Sequence, residues 1–105
     1  MAATTIFGYI SADRTETRGS GFTVGDKVES GIYTIMFNST SDGTPAFSDI
    51  PVFVANCLEN QTDRGISIHI TQIDNTQVQI AVMNTSNQTP YDIAFNFIVM
   101  GTVDD

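Results

Sequence analysis

The chain has 105 residues, enough for one compact domain with its own core, and no shift in composition marks a second. Its formal charge of -8 comes from 12 acidic residues against only Arg14, Arg18, Lys27 and Arg64, which excludes a general phosphate-backbone binder, because that role needs clustered Lys and Arg. No run of about 18 apolar residues is present to span a bilayer, and the opening MAATTIFGYI lacks the basic then apolar pattern of a secretory leader, so neither membrane insertion nor a signal peptide is expected.

In chain order, the first expected elements are weak strands over residues 4–10 and 20–24. A clearer strand follows in GIYTIMF, residues 31–37, with Tyr33, Ile35 and Phe37 on one side. Residues 38–49 form the longest irregular piece, anchored by Phe47 and long enough to carry a binding surface. Pro51 opens the next strand, since proline is tolerated at a first strand position and VFVANCL is β-rich. The lone Cys57 in that run has no internal disulfide partner and is expected to serve as a small buried hydrophobe.

The strongest alternation lies further on. Ile66, Ile68 and Ile70 share one face and Ser67, His69 and Thr71 the other. A turn at Asp74, Asn75 and Thr76 then reverses the chain into Val78, Ile80 and Val82, opposite Gln77, Gln79 and Ala81. Ile93, Phe95, Phe97 and Val99 repeat the pattern near the C-terminus, with Asn96 and Met100 opposite. No window of ten or more residues carries an apolar stripe at helical spacing. The expected fold is all-β, a single-domain antiparallel sandwich of six to seven strands.

Charge follows this segmentation. Residues 30–41, 50–58, 65–73, 75–91 and 93–103 contain no Asp, Glu, Lys or Arg, although the chain has 16 of them. Solvent-facing strand positions ordinarily carry some of that charge, and its depletion is the compositional mark of a subunit interface. Ser67, His69, Thr71, Gln77 and Gln79, or the opposing face at Asn96, are therefore expected to lose solvent in an oligomer.

Chemistry-bearing residues are sparse. Ser-His-Asp or Cys-His catalysis would need His69, the only histidine, which sits mid-strand, so no enzyme is expected. No Cys/His cluster exists, and Asp42, Asp49, Asp63 and Asp92 lie singly in separate loops, so neither a metal nor a cofactor is expected. Asp63 and Arg64 precede Gly65 at a strand entrance, suited to a sugar hydroxyl or carboxylate and equally to a turn-capping ion pair. Asn87 and Tyr91, in NTSNQTPY, offer an amide and an aromatic platform to a carbohydrate, or simply pack around Pro90. Asn-x-Ser/Thr triplets at Asn38, Asn60, Asn84 and Asn87 fit a secreted glycoprotein and plain polar loops alike.

Two resemblances rest on particular stretches. Ile35-Met36-Phe37, the run from Ala46 to Val52, the hairpin over residues 66–73 and 78–83, and Phe97-Ile98-Val99-Met100-Gly101 resemble the H-type lectin domain. That likeness implies a six-stranded antiparallel sandwich that trimerises, with residues 31–105 as its core and residues 1–30 as N-terminal strands and loops. It does not carry over a sugar site. Ser67 stands where gastropod members place an arginine, Asn84 and Thr85 where they carry Trp-His, and Phe97 and Val99 replace a Trp and an Ala. The order Gly19 to Val24, Gly31 to Phe37, then Pro51-Val52 is similar to the C-terminal modules of bacteriophage tail fibres and bacterial collagen-like surface proteins. This second likeness implies a trimeric tip that contacts a cell surface or caps a fibre. The expected function is attachment to a cell-surface glycan or receptor by a homotrimeric, non-enzymatic virion or extracellular protein. A purely structural cap and a secreted lectin are the alternatives.

Overall fold

The computed structural model describes residues 2–39, 42–57, 66–84, 89–90 and 92–103. Two antiparallel sheets face each other. Sheet A takes the order β2-β1-β9-β5, built from β1 (Ala2–Ile10), β2 (Thr17–Gly19), β5 (Val52–Cys57) and β9 (Phe95–Val103). Sheet B takes the order β3-β4-β7-β6, built from β3 (Phe22–Val24), β4 (Ile32–Phe37), β6 (Ile66–Ile73) and β7 (Gln77–Asn84), and the two-residue β8 (Thr89–Pro90) adds to β7. The all-β, two-sheet expectation holds. The described residues hold nine strands where six to seven were expected; β3 falls within the strand expected over residues 20–24, and the surplus comes from β2 and β8, each too short to show a period in the sequence.

Period-two patterning decides what lies between the sheets. Along β9 the buried Phe95, Phe97 and Val99 alternate with exposed Asn96, Ile98 and Met100, and β4 buries Tyr33, Ile35 and Phe37 in the same way. Aromatic rings join the two layers: Phe97 of sheet A meets Phe22 of sheet B edge-on at 5.0 Å, and Phe95 meets Tyr33 at 4.9 Å. Such pairs add about 1 kcal/mol beyond the area they bury. Phe47 closes one end by packing edge-on against Phe37 at 5.2 Å, as its anchoring role required.

The weak first strand is a correction. β1 spans nine residues and pairs along its whole length with β9, which makes it central to sheet A. Its signal is diluted by Gly8, at an inward position where an apolar side chain would be expected. A Cβ there would lie 2.4 Å from Cε1 of Phe22, so glycine is what lets the ring reach across from sheet B. Gly101 plays the same part near Phe47, where a Cβ would sit 2.6 Å from the ring.

The hairpin of β6 and β7 turns at Asp74, as expected: its Oδ1 accepts hydrogen bonds from the Thr76 N–H at 2.7 Å and the Gln77 N–H at 3.0 Å. The strict alternation of β6 is broken. A register shift between Ile70 and Gln72 places Gln72 opposite Gln79 and leaves Thr71 in the bulge. Ile93 lies outside β9, because its N–H donates to Tyr33 Oη at 3.1 Å instead of entering the ladder. Cys57 is half-buried against the core, and that desolvation raises its thiol pKa.

Candidate functional site

The four residues expected to meet a ligand, Asp63, Arg64, Asn87 and Tyr91, lie outside the described residues. The strands flanking those segments, β5 through Cys57, β6 from Ile66, β7 through Asn84 and β9 from Phe95, all terminate at one end of the sandwich, where Cys57 is paired with Phe95 and Ile66 with Asn84.

A charged cluster occupies that end. The β1–β2 turn is organised by Asp13, whose Oδ1 accepts hydrogen bonds from Ser11 Oγ at 2.8 Å, Thr15 Oγ1 at 2.7 Å and the Thr15 N–H at 3.1 Å. The bonds from Thr15 and then Ser11 hold the Asp13 carboxyl at a pKa of about 2. The turn puts Arg14 at a φ of 66°, in the left-handed region, and directs its side chain inward. There the guanidinium lies 3.9 Å from the centre of the Tyr33 ring, donates to the Ile32 carbonyl at 2.5 Å and stands 3.7 Å from Asp92 Oδ1. Asp92 also accepts from Lys27 Nζ at 2.6 Å and from the Gly31 N–H at 2.7 Å. Partial burial pushes the Asp92 carboxyl upward, but the bonds from Lys27 and Gly31 and the Arg14 charge outweigh it and hold the pKa below the ordinary value. Arg14 Nε and Nη1 are buried without a hydrogen-bond partner, and its side chain is only 6% exposed, so the cluster works as an internal clamp tying the β1–β2 turn to β4 and residue 92.

The six residues expected at an interface divide between two faces. Ser67, His69, Gln77 and Gln79 lie on the outer face of sheet B, with Thr71 beside them in the bulge, and Asn96 lies on the outer face of sheet A. On sheet B several of the polar groups bond to one another. Thr71 Oγ1 contacts the Gln79 carbonyl and its Oε1, both at 3.1 Å, Gln79 Nε2 donates to Thr34 Oγ1 at 3.5 Å, and Ser67 Oγ lies 3.1 Å from His69 Nε2.

Sheet A differs. Its cross-strand register sets Phe7, Ile98 and Val54 in one outward row and Thr5, Met100 and Val52 in the next. The five apolar members of these rows are between 49% and 67% exposed, and they are five of the eight large hydrophobic side chains exposed among the described residues. An open groove of about 350 Å³ runs between Phe7 and Val54 over Ile98, floored by Gly8, Ala55 and Phe97 and bounded by Asn56 and Asn96. The next row, Arg18, Tyr9, Asn96 and Asn56, is polar, and Arg18 lies over the Tyr9 ring at 5.0 Å. Asn96 and Met100 were expected on this face; Phe7, Val52, Val54 and Ile98 were not singled out. Their signal was the uninterrupted VFV and FIVM runs, in which both strand faces are apolar.

The groups that could ligate a metal do not converge. Among the described residues no three of His, Cys, Asp and Glu come together. Asp49 and Asp92 flank opposite ends of the sandwich, since Ser48 binds the Thr102 carbonyl at the finish of β9 and Asp92 precedes its start. A nine-residue strand separates those ends by roughly 30 Å. No family model, curated protein or solved structure matches the chain.

Proposed function

We propose that this chain is a non-enzymatic subunit of a homotrimeric fibre tip or virion assembly, held together through uncharged sheet surface and attached by its end loops to a cell-surface glycan or receptor. One observation carries the reading. Of the nine strands, only β2 bears a formally charged residue, Arg18, while the outer face of sheet A presents five large apolar side chains to its surroundings. A chain of net charge -8 that keeps charge off all but one of its described strands and holds apolar groups outward on one sheet face is built to meet protein there. Three linked copies would also make weak loop sites effective through local concentration.

A second reading, a structural cap without a ligand, is favoured by the state of Arg14. This arginine at the loop end is buried and engaged with Ile32 and Asp92, and Lys27 is paired with Asp92, so neither is free for a sugar carboxylate. The two readings separate on one set of assays. Native mass should show a trimer. A glycan array and host-cell adsorption with that trimer should then show binding that Arg64→Ala or Tyr91→Ala abolishes without changing the mass. A trimer that binds no glycan and adsorbs to no host cell leaves the cap, and a stable monomer removes both.

A further inference from the structure

Resting on the assembly reading above, we infer that the interface is the outer face of sheet A, the β1-β9-β5 surface centred on Ile98, and that what covers it is further copies of this chain.

The area is of the right size. Five apolar side chains, between 49% and 67% exposed, offer on the order of 100 Å² apiece, so the patch is roughly 500 Å², within the upper range for the largest patch on a monomer. Adding the flanking Thr5, Tyr9, Asn56 and Asn96 brings it toward the ~800 Å² that each partner contributes to a stable complex. Its layout is that of an interface: an apolar centre at Phe7, Ile98, Val54, Met100 and Val52, with a polar border at Tyr9, Asn96 and Asn56.

Charge then selects the occupant. A basic partner would be drawn to the acidic loops, whereas among the described residues this surface carries no acidic side chain to receive it, and Arg18 sits at its border against Tyr9. Copies that each carry -8 repel one another wherever loops approach, and they can come close only across neutral surface. An apolar centre needs no charge complement, so in a closed three-fold ring one side of the face can meet the other side of the same face on the next copy. The outer face of sheet B is neutral too, but Thr71, Gln79 and Thr34 already bond to one another there, and its outward Ile32, Met36 and Met83 are less exposed within one chain, so drying it would gain less apolar burial.

The test is sedimentation velocity over a wide concentration range on the wild-type chain, Ile98→Asp, Val54→Asp and Gln79→Glu, with circular dichroism melts as the check on folding. The wild-type chain should sediment as a trimer, and Gln79→Glu should match it. Ile98→Asp and Val54→Asp should fold and dissociate on the order of 100-fold or more readily, because each buries an unpaired carboxylate. A wild-type trimer unaffected by folded Ile98→Asp or Val54→Asp overturns the assignment of this face and spares the assembly reading. A wild-type monomer overturns both and gives the face to a different macromolecule. A wild-type dimer that the two substitutions dissolve upholds the face and overturns the trimer.

Discussion

Apart from Arg18 at the border of sheet A, the described outer faces of this sandwich share an absence of charge, and they differ in everything that absence permits. On sheet B, Thr71, Gln79, Thr34, Ser67 and His69 replace charges with amides, hydroxyls and an imidazole that bond among themselves. On sheet A, the same depletion leaves Phe7, Val52, Val54, Ile98 and Met100 outward with nothing over them. Missing charge is therefore not one signal. A neutral polar face tolerates water, and a neutral apolar face calls for a partner.

The sharpest way to break this comparison is to place one carboxylate on each face in turn. Ile98→Asp should cost assembly about 3 to 5 kcal/mol, the penalty for a buried unpaired charge, and Gln79→Glu should cost nothing measurable; equal effects in sedimentation would erase the distinction. Next in size is the inner layer of the same strand. Phe97→Ala should lower folding stability by about 3 to 4 kcal/mol in chemical denaturation, since its ring meets both Phe22 and Phe53, whereas Ile98→Ser should leave the stability of the dissociated chain within about 0.5 kcal/mol. Neighbouring positions would then separate folding from association. Asp92→Ala leaves the Arg14 guanidinium buried with its ion-pair partner removed, and should cost about 3 kcal/mol of folding stability without altering subunit mass below the melting point.

Smaller effects concern pH and the sheet B network. Asp13, Asp74 and Asp92 all bind a proton less readily when folded, so the unfolded chain takes up protons first as pH falls. Their contribution is complete above about pH 5 and is lost as pH falls below the ordinary aspartate value of 3.8, for Asp13 through its folded value of about 2. Thermal melts should fall over that window, and Asp92→Asn should reduce the slope. Thr71→Val, which removes exposed hydrogen bonds to Gln79, should change stability by only about 0.5 kcal/mol.

Much of the fold was legible because β4, β7 and β9 carry a strict period of two with aromatic and β-branched residues inward. β1 was less so, since its inward Gly8 exists to admit Phe22, a long-range contact that no local pattern records. The bulge at Thr71 was hidden for a related reason: register belongs to a pair of strands, and one strand read alone shows only alternation. Neutral strands pointed to interface chemistry, but choosing between the faces required knowing that Phe7, Ile98 and Val54 fall in one row. Arg14 reads as an ordinary loop charge until the left-handed turn sends it under Ile32 and against Tyr33.

In the native assembly sheet A's outer face should be covered and sheet B's wet, and the methionine methyl groups report on both. Met100 belongs to the first, while Met36 and Met83 belong to the second and are less exposed than Met100 within a single chain. Relaxation of these methyl signals by a soluble paramagnetic agent, measured on the native protein, should be weaker at Met100 than at Met36 and Met83, the reverse of what one isolated chain would give. Stronger relaxation at Met100 would mean that the face is open to solvent, and would contradict the account.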